Sequence, residues 1–189
     1  MTCRTPAAPD RQGATSQPAH GHHHPESRVG WLLVLPAIGL LLVTPPPLGS
    51  YAASQAGTAV GTAEDLGYPP LPAGDPVPTS VLDYAARALF DKGQAFGDRR
   101  IQLTGFVIPG PDGEPVLARI VMSCCAADGR PVKVGMTGAV PTGLTADTWI
   151  QVTGRYTDRL GRDPINDLEI PYINVESWHR VAPPANPYE

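Results

Sequence analysis

Cysteine is scarce and badly placed for a disulfide-stapled protein: Cys3 stands alone, and Cys124 and Cys125 are neighbours. No even-numbered disulfide framework can be written from three such residues, so a packed core must hold the fold. Positive charge is not in excess either. Fourteen basic against 18 acidic residues leave a net charge of -4, which removes the general attraction to phosphate backbones, and no nucleic-acid partner is expected. After His24 the chain has a single histidine, His179, which leaves little material for a Ser-His-Asp or Cys-His unit. A Gly-rich phosphate loop, a G-x-S-x-G elbow, an H-E-x-x-H helix and a Cys-x-x-Cys pair are all missing. These absences point away from an enzyme and predict no bound cofactor. Repeats with a period of roughly 20 to 50 residues are also lacking, which excludes a solenoid or propeller.

The longest absence is of charge. Between Arg28 and Glu64 there is no charged residue, and Val29 to Val43 is apolar throughout. At about 1.5 Å per residue a helix from Val29 to Leu48 would cover about 30 Å, the thickness of a bilayer core. Residues 29–49 therefore read as a short transmembrane helix. Pro36 is tolerable inside it, Trp31 and Tyr51 flank it as interfacial aromatics, and Pro45, Pro46 and Pro47 limit its outer end. The alternative is a cleaved signal peptide, because Ser50-Tyr51-Ala52 mimics a small-x-small cleavage pattern. Arg4, Arg11 and Arg28 precede the run, and no basic residue follows it until Arg87. The basic side stays in the cytoplasm, so the expected location is a cell membrane crossed once, with the C-terminal domain outside.

What is abundant is proline, 23 residues, and glycine, 20 residues, concentrated where regular structure cannot form. Residues 1–28 are predicted disordered, with a tract of His20, His22, His23 and His24 that either binds a transition metal weakly or is a solvated lead-in. Residues 50–78 read as an Ala/Gly/Pro-rich linker. Residues 79–182 carry the folded domain and 183–189 a tail. A helix should begin at Ser80-Val81-Leu82-Asp83, whose side chains suit a first turn, and run to about Ala95 with Leu82, Ala85, Ala86 and Leu89 inward and Gly97 as its stop. From Arg99 the apolar period becomes two. Five strands follow, near Ile101–Ile108, Val116–Met122, Pro131–Met136, Trp149–Tyr156 and within Leu168–Trp178, with a polar loop at Asp158–Asp167. The fold class is thus mainly β with one N-terminal helix, a small OB-like five-stranded barrel, with a β-sandwich as the alternative.

One group of residues carries candidate chemistry: Ser123-Cys124-Cys125-Ala126-Ala127-Asp128. Three readings stay open. The cysteines are small apolar residues buried in the core. They form a strained vicinal disulfide that acts as a switch, since adjacent Cα atoms are about 3.8 Å apart. Or they belong to a metal site with Asp128, incomplete because zinc takes four ligands and successive strand side chains point to opposite faces. Trp149 reads as a core anchor.

The runs VLARIVMSCCAADGRPVKVGM, DTWIQVTGRY and PPANPYE, with RVGWLLVLPAIGLLLVTPPPLGSYAAS before them, resemble the last transmembrane segment and C-terminal domain of the YcgQ-like bacterial membrane-protein family, described as permease subunits of unknown function. The resemblance implies an accessory protein of a transport system working beside a polytopic permease-like partner, and further transmembrane helices upstream, for which residues 1–28 contain no apolar span. Carried onto this sequence, its S-C-C-x-A-D motif marks Cys124, Cys125 and Asp128 as the residues of interest, with Trp149 and Gly154 as scaffold. Beside it stands the second expectation, a redox or metal-handling domain that uses the paired cysteines.

Overall fold

The computed structural model describes residues 30–42, 48–60, 68–110 and 113–189, divided into two compact units, Met1–Pro45 and Pro46–Glu189. In the first unit the described part is one helix, α1 (Gly30–Leu42), 13 residues with Pro36 inside it. At 1.5 Å per residue it is about 20 Å long, and no helix among the described residues is long and apolar enough to cross a membrane. The described helix covers 30–42 of the span expected over 29–49, whose residues 29 and 43–47 lie outside the described residues. Leu48 and Gly49, at that span's outer end, belong to the second unit. There Leu48 packs on an apolar cluster and Gly49 precedes α2 (Ser50–Gln55). The histidine tract lies outside the described residues.

The second unit is built on a six-stranded mixed sheet. Its strands are β1 (Val77–Pro78), β2 (Ile101–Pro109), β3 (Pro115–Val121), β4 (Arg130–Gly138), β5 (Trp149–Arg162) and β6 (Glu169–Arg180). The order is β1-β2-β3-β4-β6-β5, and β5 pairs back onto β2 from Ile101↔Gly154 to Phe106↔Trp149. Five strands thus form a near-ring, all neighbours antiparallel except β4 and β6, which run parallel from Gly135↔Tyr172 to Gly138↔Val175. The sixth strand, β1, adds a two-residue parallel rung at the edge of β2. It escaped the sequence reading because two residues ending in proline carry no alternation.

Alternation puts Ile101 and Leu103 of β2 and Ile150, Val152 and Gly154 of β5 on the inner face, where they meet Leu117, Val132, Val134 and Ile173. One end of this core is covered by α3 (Val81–Phe90). Ser80 caps it, its Oγ accepting the Asp83 N–H at 2.9 Å, as the sequence suggested. The buried stripe is Val81, Tyr84, Ala85 and Ala88, not the expected Leu82-Ala85-Ala86-Leu89 face. Leu82 is exposed, whereas the Tyr84 ring stacks on Phe96 with centroids 5.1 Å apart and its hydroxyl donates to the Tyr172 carbonyl at 2.7 Å. The helix also ends earlier than expected. The N–H groups of Asp91 and Gly93 both donate to the Arg87 carbonyl, and Lys92 and Gly93 take positive φ of 49° and 68°, a left-handed exit that terminates the helical ladder.

A second core lies on the outer face of β2 and β3. Phe106, Ile108, Val116, Ala118 and Ile120 pack there with Ala53 of α2, which is why both faces of β2 are apolar beyond Gly105. Residues 50–60, the first part of the expected 50–78 linker, are part of this structure. Asp147 Oδ1 and Oδ2 accept from the backbone N–H and hydroxyl of Ser50 at 2.6 and 2.7 Å. Farther on, the Lys133 ammonium forms a buried pair with Asp163 at 2.8 Å and donates to the Ala56 carbonyl at 2.8 Å, while Asp163 accepts the Thr58 N–H. A buried pair costs desolvation, and here hydrogen bonds from the 56–58 backbone satisfy both ions.

The residues set aside as a tail are also integrated. Glu189 accepts from the N–H groups of Val81 and Leu82 at the start of α3, its carboxylate lies 3.3 Å from Arg119, and its backbone N–H donates to Ile120. The favourable partial charge at a helix N-terminus explains the choice of a carboxylate there. Strand β5 runs to Arg162, so the polar loop is shorter than expected, 163–168.

Candidate functional site

Strand β3 makes its last pair at Val121↔Arg130, and the Met122 N–H then turns to the Glu189 carbonyl at 3.1 Å. The chain leaves the sheet before the cysteines, so strand alternation does not apply to them. It bends through Ser123 and enters a 3₁₀ turn, Ala126–Asp128. Asp128 reaches back across this turn: its carboxylate accepts the Cys124 N–H at 2.8 Å and the Cys125 N–H at 3.4 Å, while its own N–H donates to the Cys125 carbonyl at 3.1 Å. This reciprocal capping satisfies backbone groups that the sheet no longer holds.

The result places both thiols on one side, Sγ to Sγ 3.7 Å, free and exposed to solvent. Of the three readings of the pair, this exposure goes against burial in the core. The two sulfurs and an Asp128 oxygen all lie within 4.8 Å of one another.

The charge environment limits what the turn can do. The Asp128 carboxylate, with the Cys125 thiol beside it, pushes the Cys124 thiol up to about 11, while Asp128 is held below the usual carboxylate range by the Cys124 thiol and the backbone N–H groups of the turn. At neutral pH Cys124 carries its proton beside an anion. An attacking cysteine needs the opposite arrangement, a thiolate favoured by a nearby positive charge. The turn is a set of solvent-exposed donors whose protons a cation can displace.

The other sequence candidates stay apart from it. His179 is exposed on β6 opposite Gln151 and lies outside the cluster of ligating atoms. Trp149 edges the second core, its ring 5.5 Å from Phe106 and under the Arg119 guanidinium at 5.0 Å. Gly154 sits at a register shift in the β5–β6 pairing, where a Cβ would run into the Asn174 carbonyl. An open cavity of about 670 Å³ between Tyr51, Trp149 and Pro184 offers no ligating set, since its carboxylate, Asp147, is occupied by Ser50. Sequence reasoning missed Arg119, buried between Trp149 and the C-terminal residues. In the sequence it is one more polar residue on a strand, and nothing marks it.

Compared with known families, residues 84–189 match the DUF1980 C-terminal domain. The chain belongs to that family. No curated protein and no solved structure matches it. The DUF1980 match begins inside α3 and takes in the whole near-ring from β2 to β6, the Cys124-Cys125-Asp128 turn, Trp149 and Gly154. Helices α1 and α2 and strand β1 precede it. The DUF1980 domain therefore comprises the ring, most of its capping helix and the dithiol turn as one unit.

Proposed function

We propose that this chain is a non-enzymatic accessory protein of a membrane transport system, whose β domain stands outside the cytoplasm and works through the exposed dithiol turn. The observation that carries the reading is the placement of Cys124 and Cys125: two free thiols outside the core, side by side, with a carboxylate folded against them. Small apolar residues needed only for packing would be inside. Membrane attachment is supported by the charge-free run after Arg28 and by α1, which leaves Leu32, Leu35, Ile38, Leu41 and Leu42 exposed, an apolar surface that favours a lipid or protein environment over water. The order of the ring, first strand to second, third, fifth, fourth and back to the first with the third and fifth parallel, supports an OB-like barrel. A polytopic permease-like partner follows from the YcgQ-like resemblance. Of the two chemistries open to the thiols, metal handling is favoured over redox exchange, because a carboxylate oxygen, of no use to thiol exchange, lies with both sulfurs as a third donor.

Labelling of the full chain in intact bacteria with a membrane-impermeant maleimide tests this reading. Label should appear without lysis, disappear in a Cys124→Ser/Cys125→Ser variant, and the protein should co-purify with a polytopic membrane protein in mild detergent. Label that appears only after lysis would place the turn on the wrong side of the membrane and end the proposal.

A further inference from the structure

We infer that Cys124, Cys125 and Asp128 form an acceptor site for a tetrahedral divalent ion of the zinc type, holding it through two sulfurs and one oxygen with the fourth position open. This rests on the reading of the dithiol turn as the working site and names the cargo that the site takes. The distance between the sulfurs carries the argument. Two thiolates each about 2.3 Å from a zinc ion at the tetrahedral angle stand about 3.8 Å apart, and the two Sγ atoms are 3.7 Å apart. A linear two-coordinate ion with similar bonds would hold them about 4.6 Å apart, and a disulfide about 2.05 Å. The sulfurs stand at thiol–thiol contact distance, which a tetrahedral centre accepts with no movement of the pair, whereas a linear ion would spread them and a disulfide would draw them together.

The third ligand is close and already oriented. An Asp128 oxygen lies within 4.8 Å of both sulfurs, against about 3.6 Å in a formed centre with a metal–oxygen bond of about 2.1 Å. A small rotation of the half-buried Asp128 side chain covers that difference. The Cys124 and Cys125 N–H groups that bind the carboxylate provide the outer support that ligating carboxylates generally have. Loading displaces two thiol protons to solvent as two metal–sulfur bonds form, with no change of oxidation state. Two thiolates and a carboxylate then surround a dication, leaving one negative charge in excess. Structural zinc centres are closed by four protein ligands. Three ligands on an exposed turn, attached to a ring whose core does not depend on them, suit capture and transfer instead, the open position being where water or the next carrier's ligand enters.

The test uses the reduced, metal-free full chain titrated with Co²⁺ as a spectroscopic probe and then with Zn²⁺ in competition. The expected result is one ion per chain with a thiolate-to-cobalt charge-transfer band, abolished by Zn²⁺, absent in Cys124→Ser and in Cys125→Ser, and weakened about tenfold or more in affinity in Asp128→Asn. Replacement of Cys3 by Ser, or of His20, His22, His23 and His24 by Ala, should leave the band unchanged. These positions precede the ring in sequence, and circular dichroism checks that each variant keeps its fold. A wild-type chain without the band, or a band that survives loss of both Cys124 and Cys125, overturns the assignment. If the band is absent while the impermeant maleimide still labels the turn in intact cells, the metal assignment alone fails. If the label fails as well, the reading beneath it fails too.

Discussion

Tyr84 shows how burial changes the behaviour of a side chain. Its ring is fully inside the ring-helix core and its hydroxyl is bonded to the Tyr172 carbonyl, and burial raises its ionisation well above the ordinary tyrosine range. A group whose folded-state pKa is raised contributes stability that is fully present below the unfolded value, about 10, and is lost as pH rises beyond it. Urea-unfolding midpoints of the wild type should therefore fall steeply above about pH 10. Tyr84→Phe should flatten that decline while costing about 1 kcal/mol at neutral pH through the carbonyl left without its donor. Parallel pH profiles for the two proteins would contradict this. Sequence reading was uneven at this scale. It picked out Cys124, Cys125 and Asp128 by residue type but left burial, a vicinal disulfide and a metal site open for the thiols, because nothing in V-M-S-C-C announces that β3 ends at Val121. The apolar face chosen for α3, Leu82, Ala85, Ala86 and Leu89, passed over Tyr84 and Arg87, whose polar tips hide how deeply they are buried.

The strands themselves were legible, since Ile101, Leu103 and then Ile150, Val152, Gly154 alternate cleanly and each run faces the core on one side. The ends of elements were less so. β5 continues to Arg162 through residues that look like loop, because β6 pairs with it as far as Arg162↔Glu169. Gly154, read as scaffold, is where β5 and β6 change register and their backbones approach. Gly154→Ala forces a methyl into the Asn174 carbonyl, and overpacking of this kind costs on the order of 1–3 kcal/mol. Denaturant titration should show a lower midpoint in Gly154→Ala, whereas an alanine at exposed Gly97 would be judged by its positive φ alone. An unchanged midpoint in Gly154→Ala would mean that the strands can separate there at no cost.

In the second unit, composition misjudged what belongs to the domain. Residues 48–60, rich in Ala and Gly, and 183–189, rich in Pro, show no periodicity, yet they are held by long-range contacts, among them Asp147 on Ser50, Asp163 on Thr58, and Glu189 on Arg119 and α3. Each pairs residues far apart in the chain, and such pairings leave no mark on local pattern. The C-terminal residues also bear on the site, because Glu189 receives the Met122 N–H two residues before Cys124 and so fixes the base of the dithiol turn against the ring. The chain then presents two thiols and a carboxylate on a rigid frame, and the central claim is that this group holds a metal ion. X-ray absorption at the zinc edge of the zinc-loaded full chain tests it most directly. The account predicts two sulfur scatterers at about 2.3 Å together with oxygen or nitrogen at about 2.0–2.2 Å. A shell of nitrogen and oxygen alone, as the histidine tract would give, would contradict it.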